Sequence, residues 1–211
     1  MEQSPIEDIS HAIVRAAEKG KVLYLASGGS SIPLSVAALR AVPASLRTQV
    51  TVTLTDERFG PVGHTDSNWQ QMREAGFDPD GFVSLEVLSD ASLARDVTAQ
   101  EFEEKLRAAL AYADTVIALF GIGADHHIAG ILPGSDAARM NEHFVTAYDA
   151  GAYERITVTP PVFPNIDKAF VYAKGEAKRE SIDSLALDRS YIEHPNQLIK
   201  QCGTYATMFV P

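Results

Sequence analysis

The stretch from Gly121 to Gly134 holds the residues best suited to do chemistry: Gly121 and Gly123, then Asp125, His126 and His127. An imidazole can take a proton from water near neutral pH, and a nearby carboxylate can hold the tautomer that does so. Glycines let the chain turn sharply and approach a ligand. The other reading is a pair of surface histidines in a loop. A zinc site needs at least three ligands. His11, His64, His143 and His194 have no ligand-type spacing to this pair, so no metal is expected.

Two more groups carry chemical potential. Ser27, Gly28, Gly29 and Ser30 combine glycines with hydroxyls, a composition that exposes backbone N–H groups to an anion at a helix start. A tight turn with a serine cap would read the same way. No Gly-Lys-Ser/Thr follows, so it is not a Walker loop. Asp56, Glu57 and Arg58 come directly after a β-branched run. There Arg58 can grip an oxyanion with its forked guanidinium, and Asp56 can bind hydroxyls or orient a neighbour. The alternative is a solvated turn. The nucleophile elbow Gly-x-Ser-x-Gly is missing, which disfavours a serine acyl-enzyme. His126 stands where a dinucleotide fingerprint would need its third glycine.

These groups must be positioned by regular elements. Residues 5–19 carry Ile6, Ile9, Ile13 and Val14 on one helical face. Lys21–Ala26, Thr51–Thr55, Thr115–Phe120, Arg155–Thr159, Ala169–Ala173 and Thr204–Phe209 read as strands. Helices are expected from Pro33 to about Arg40, from Asn68 to Ala75, over 90–113 and over Glu176–Leu187. Strands alternating with helices predict an α/β fold, a mostly parallel sheet with helices on both faces. Ligands in such folds bind outside the carboxyl ends of the strands. All three groups above fall at such ends.

The 211 residues are 45% hydrophobic and carry a formal net charge of −10. This suits a single domain over residues 1–211 with a sizeable core. An acidic chain is a poor partner for nucleic acid or anionic membrane, and an anionic substrate would need a local cluster of cations. No apolar run is long enough to span a membrane, and the acidic start is not a signal peptide. The lone Cys202 cannot form an internal disulfide and reads as buried filler, which fits a cytoplasmic location. Trp69 reads as packing, and Glu101, Glu103 and Glu104 as a solvated helix face. The expected assembly is a monomer or small homo-oligomer.

Taken in order, the motifs resemble those of the 6-phosphogluconolactonase family, part of a superfamily that includes glucosamine-6-phosphate deaminase. The matching pieces are Ser27–Ser30, Thr55–Arg58, Ser67 with Asn68, Gly121–Ala129, Arg155–Thr159 and Gly175–Lys178. The resemblance implies a Rossmann-like fold and hydrolysis of 6-phospho-glucono-1,5-lactone to 6-phosphogluconate, without metal or organic cofactor. It also implies His127 as general base with Asp125 as its partner. Gly28, Gly29, Ser30, Arg58 and Lys178 would hold the phosphate and neighbouring oxygens. Arg155 would point into the site, and Asp56 and Asn68 would bind or position hydroxyls.

Some positions depart from that pattern. His126 replaces a usual glycine, so it either adopts a positive φ or contacts substrate itself. Ile128 and Gly130 replace frequent hydroxyl residues. The deaminase loop carries an acid five positions after its histidine, where Leu132 stands here, so the deaminase ranks behind. A sugar-phosphate-binding regulator without turnover is the non-enzyme alternative, and the intact Asp125 and His127 argue against it.

Overall fold

The computed structural model describes residues 4–90 and 92–211. The elements in chain order are α1 (Pro5–Ala17), β1 (Val22–Ala26), α2 (Ile32–Arg40), α3 (Ala44–Arg47), β2 (Val50–Leu54), β3 (Asp56–Arg58), α4 (Asn68–Glu74) and β4 (Val83–Ser84). They continue with α5 (Arg95–Tyr112), β5 (Thr115–Gly121), α6 (Asp136–Arg139), β6 (Val145–Asp149), β7 (Glu154–Val158), β8 (Lys168–Lys174), α7 (Arg179–Asp183) and β9 (Thr204–Val210). Among the described residues, no helix is long and apolar enough to cross a membrane.

Six strands form one sheet in the order β4-β2-β1-β5-β8-β9, and every pairing in it is parallel. Each residue of β1 is buried, as a strand covered on both faces must be. This agrees with the α/β expectation. Strand order reverses between β1 and β5, and that switch point opens a crevice at their carboxyl ends. The chain leaves β1 at Ser27 and β5 at Ile122, so the two glycine loops flank the crevice.

The rest of the sheet assignment needs correction. The strand expected at Arg155–Thr159 is β7, and it is not in the parallel sheet. It pairs antiparallel with β3 and β6 in a separate three-stranded sheet, order β3-β7-β6. Asp56, Glu57 and Arg58, which allowed a solvated turn, are the strand β3 itself. β-propensity marks a strand but not its partner, so the second sheet was invisible to pattern reading. The helix expected over Glu176–Leu187 is broken into a 3₁₀ turn at Glu176–Lys178, α7, and another 3₁₀ turn at Ser184–Ala186.

The two sheets are joined by close polar packing. Gly130 N donates to Thr157 Oγ1 at 3.0 Å, and Tyr148 OH donates to Gly130 O at 2.5 Å. A Cβ on Gly130 would stand 2.8 Å from Thr157 Cβ and 3.0 Å from Asp56 Cβ. On the far side, Glu103 of α5 is buried rather than solvated. It binds Arg107, the His143 ring and the Phe144 amide, at 2.7, 3.2 and 2.8 Å. Trp69 is buried and edge-on to Phe77, as the packing reading expected.

Candidate active site

A cleft of about 210 Å³ opens at the switch point. The loop after β1 brings Gly28, Gly29 and Ser30 to it, and the loop after β5 brings His127. The second sheet contributes Asp56, Arg58 and Arg155, while Asn68 comes from the start of α4 and Lys178 from the turn after β8. Of the ten residues singled out in the sequence, only Asp125 does not line this cleft itself, and it reaches the cleft through His127.

Asp125 and His127 form a tight pair. His127 Nδ1 lies 2.6 Å from Asp125 Oδ1, which also accepts the His127 backbone N–H at 3.3 Å. The carboxylate thus favours the tautomer with the proton on Nδ1 and leaves Nε2 as the basic nitrogen. Burial alone would raise the Asp125 carboxyl, but the charge and hydrogen bonds of His127 together hold it below the usual value. The loop closes through Gly123 N to His127 O at 3.0 Å. Gly123 is required by close approach. A Cβ there would stand 2.1 Å from His127 Nδ1 and 2.3 Å from Asp125 Oδ1.

His126 has φ +70°, the left-handed conformation that a glycine would take without strain. Its ring turns away from the cleft and packs on His194 at 4.8 Å between centroids. Burial, then the nearby His194, lowers its pKa. Contact with substrate, the second possibility for this residue, does not fit that position.

Three cations line the same cleft as the imidazole. Arg155 Nη1 donates to Asp56 Oδ2 at 2.9 Å. Arg58 forms no ion pair among the described residues, and its Nη1 donates to the Asp66 carbonyl at 2.8 Å. The Nε atoms of both arginines are buried without a protein partner. Tyr153, which the sequence reading did not single out, lies against both guanidinium groups at 5.2 and 5.8 Å. Burial lowers the Lys178 ammonium below its usual value, and the Asp125 charge opposes this.

Asn68 is buried and donates from Nδ2 to the Asp56 carbonyl at 2.9 Å, while its Oδ1 has no protein partner. Gly28 lies against it, where an added Cβ would come within 2.1 Å of Asn68 Oδ1. Gly29 faces open space, so its backbone is accessible to a ligand. Among the described residues, no group of three or more His, Cys, Asp or Glu could hold a metal ion. The arrangement places one oriented base and three cations around one small polar cleft. It can bind a compact anion and deprotonate a water near its far end.

Comparison with known proteins gives consistent matches. A family model described as glucosamine-6-phosphate isomerases/6-phosphogluconolactonase matches residues 1–208. The 6-phosphogluconolactonase of Caulobacter vibrioides is 27% identical over 177 residues, covering 79% of this chain and 75% of the relative. That of a Synechocystis strain is 25% identical over 197 residues, covering 89% and 81%. Among solved structures, 6-phosphogluconolactonases from Thermotoga maritima and Shewanella baltica superpose with TM-scores of 0.80 and 0.81, at 20% and 17% identity. Each match covers 100% of this chain and 96% of the other.

Proposed function

Because the chain belongs to the glucosamine-6-phosphate isomerase/6-phosphogluconolactonase family, we propose that it hydrolyses 6-phospho-D-glucono-1,5-lactone to 6-phospho-D-gluconate, a step of the oxidative pentose phosphate pathway. The observation that carries this reading is the sharing of one cleft by His127 and the cations Arg58, Arg155 and Lys178. The curated relatives compared above are named as lactonases. Leu132 gives the loop after His127 no acid for the ring-opening relay of a deaminase.

In this mechanism the phosphate lies between Arg58, Arg155, Lys178 and the backbone at Gly28, Gly29 and Ser30. Asp56 fixes Arg155, and Asn68, bonded to the Asp56 carbonyl, positions that part of the wall. Anchoring the phosphate makes attack at C1 effectively intramolecular. His127 takes a proton from water as the water oxygen bonds to C1. The former carbonyl oxygen becomes an oxyanion, stabilised by fixed donors. When the intermediate collapses, the bond from C1 to the ring oxygen breaks. Protonated His127 delivers its proton to that oxygen, which becomes the C5 hydroxyl. The carboxylic acid then loses its proton to solvent. Asp125 holds the imidazole and balances its transient charge.

The lone Cys202 is buried, and burial pushes its thiol up to about 12, so it plays no nucleophilic part. A protein with one buried thiol and no disulfide suits a reducing compartment, and we place the reaction in the cytoplasm. The test is lactone hydrolysis by the wild type and by His127→Ala. The proposal expects a wild-type rate far above the spontaneous one and its loss in the variant. A wild type that binds 6-phosphogluconate without accelerating hydrolysis would instead be a regulator, and ammonia release from glucosamine 6-phosphate would indicate a deaminase.

A further inference from the structure

The reaction above makes no use of Glu57, although it sits between Asp56 and Arg58 and is fully buried at 0% exposure. Strand alternation turns its side chain to the face opposite its two neighbours, toward the start of α4. Its carboxylate accepts four hydrogen bonds: from Arg58 N at 2.7 Å, Asn68 N at 2.6 Å, Trp69 N at 3.1 Å and Ser67 Oγ at 2.9 Å. Asn68 and Trp69 open α4, where backbone N–H groups lack partners within the helix. One side chain therefore ties the backbone of two cleft residues, Arg58 and Asn68, to each other.

We infer that Glu57 is a positioning residue that holds Asn68 and Arg58 at the ligand-facing wall. The clamp from β3 to α4 brings Asn68 Nδ2 to the Asp56 carbonyl at 2.9 Å. With that bond made, Asn68 Oδ1 stays packed beside Gly28, and the residue lines the cleft. An isolated carboxylate in such a place would be costly, and here each bond it accepts fixes an atom of the site frame. Asp125 and His127 lie on the other sheet's loop and make none of these bonds.

This inference rests on the lactonase reading for its kinetic arm alone. Glu57→Gln keeps the shape but turns an acceptor oxygen into an amide that faces N–H donors. Near-UV circular dichroism and thermal melting define a temperature at which the variant is folded. At that temperature KM for the lactone is expected to rise tenfold or more, with kcat changed less than about threefold, since His127 stands outside the network. The Asn68 side-chain amide resonances are expected to shift. Ser67→Ala removes one of the four donors and is expected to raise KM by a smaller factor in the same direction. A folded Glu57→Gln with unchanged KM and unchanged Asn68 resonances overturns the assignment. If that variant does not fold, a Ser67→Ala protein unchanged in both respects overturns it. A wild type inactive on the lactone defeats the lactonase reading only, and the Asn68 resonances then decide the role of Glu57.

Discussion

Arg58 and Arg155 stand directly opposite each other on β3 and β7. Like charges in that relation repel. Asp56 neutralises Arg155, so of the two arginines Arg58 is the one left available to an anion. Removing Arg58 is therefore expected to cost binding without costing stability. Arg58→Ala should raise KM about 100-fold, the scale of a lost charge-assisted hydrogen-bonded pair. Its melting temperature should be equal or higher. Arg58→Lys keeps the charge but loses the fork and the stacking on Tyr153, so it should recover only part of the affinity. Steady-state kinetics and thermal melts check all three.

His127→Ala is expected to lower kcat by about 10²- to 10⁴-fold, the usual contribution of a positioned base. Asp125→Asn should also lower kcat, because the amide still fills the space but can favour the wrong tautomer. The folded Asp125 carboxyl lies below its ordinary value of 3.8. Its contact with His127 therefore adds stability above that pH and loses it only as pH falls through the lower folded value. Down to about pH 5 the carboxylate stays ionised. The Asp125 side-chain carboxyl carbon resonance should then keep its ionised position from about pH 5 to 8; a protonation step of that carboxyl within the range contradicts the assignment.

Gly123→Ala tests the geometry of the pair without touching its chemistry. Its methyl would overlap His127 Nδ1 and Asp125 Oδ1. The pair must separate or the loop must shift, and an ångström of misplacement costs about 100-fold in rate. The variant is expected to lose kcat to the level of Asp125→Asn while still binding 6-phosphogluconate, which calorimetry can read.

At His126 the backbone rather than the side chain sets the expectation. Both His126→Gly and His126→Ala remove the contact with His194, but only glycine relieves the left-handed strain. His126→Gly should be more stable than His126→Ala by roughly 1 kcal/mol, seen in urea unfolding. Equal stabilities would show that φ +70° costs nothing here.

The local patterns of the chain were readable because they report local physics. The glycine and hydroxyl groups at the ends of β1 and β5 marked the crevice, since a parallel sheet with its first strand inside must open there. What escaped was pairing across long separations. Nothing near Asp56 announces that its strand partner lies about a hundred residues later, and the register Asp56 to Thr157 is set by tertiary packing. For the same reason Glu103 read as a surface charge, and Glu57 had no role of its own. Their burial depends on donors brought from α4 and from the segment around His143. Tyr153 carries no motif at all, and only the hairpin of β6 and β7 brings its ring under two arginines.

The contact of Gly130 with Thr157 lies where the loop that carries the base meets the sheet that carries the two arginines. The two sides close on each other as calipers do, with no side chain at position 130 to hold the jaws apart. A methyl introduced there would widen the gauge by the thickness of one carbon, and a longer sugar acid would then compete on better terms with the native one.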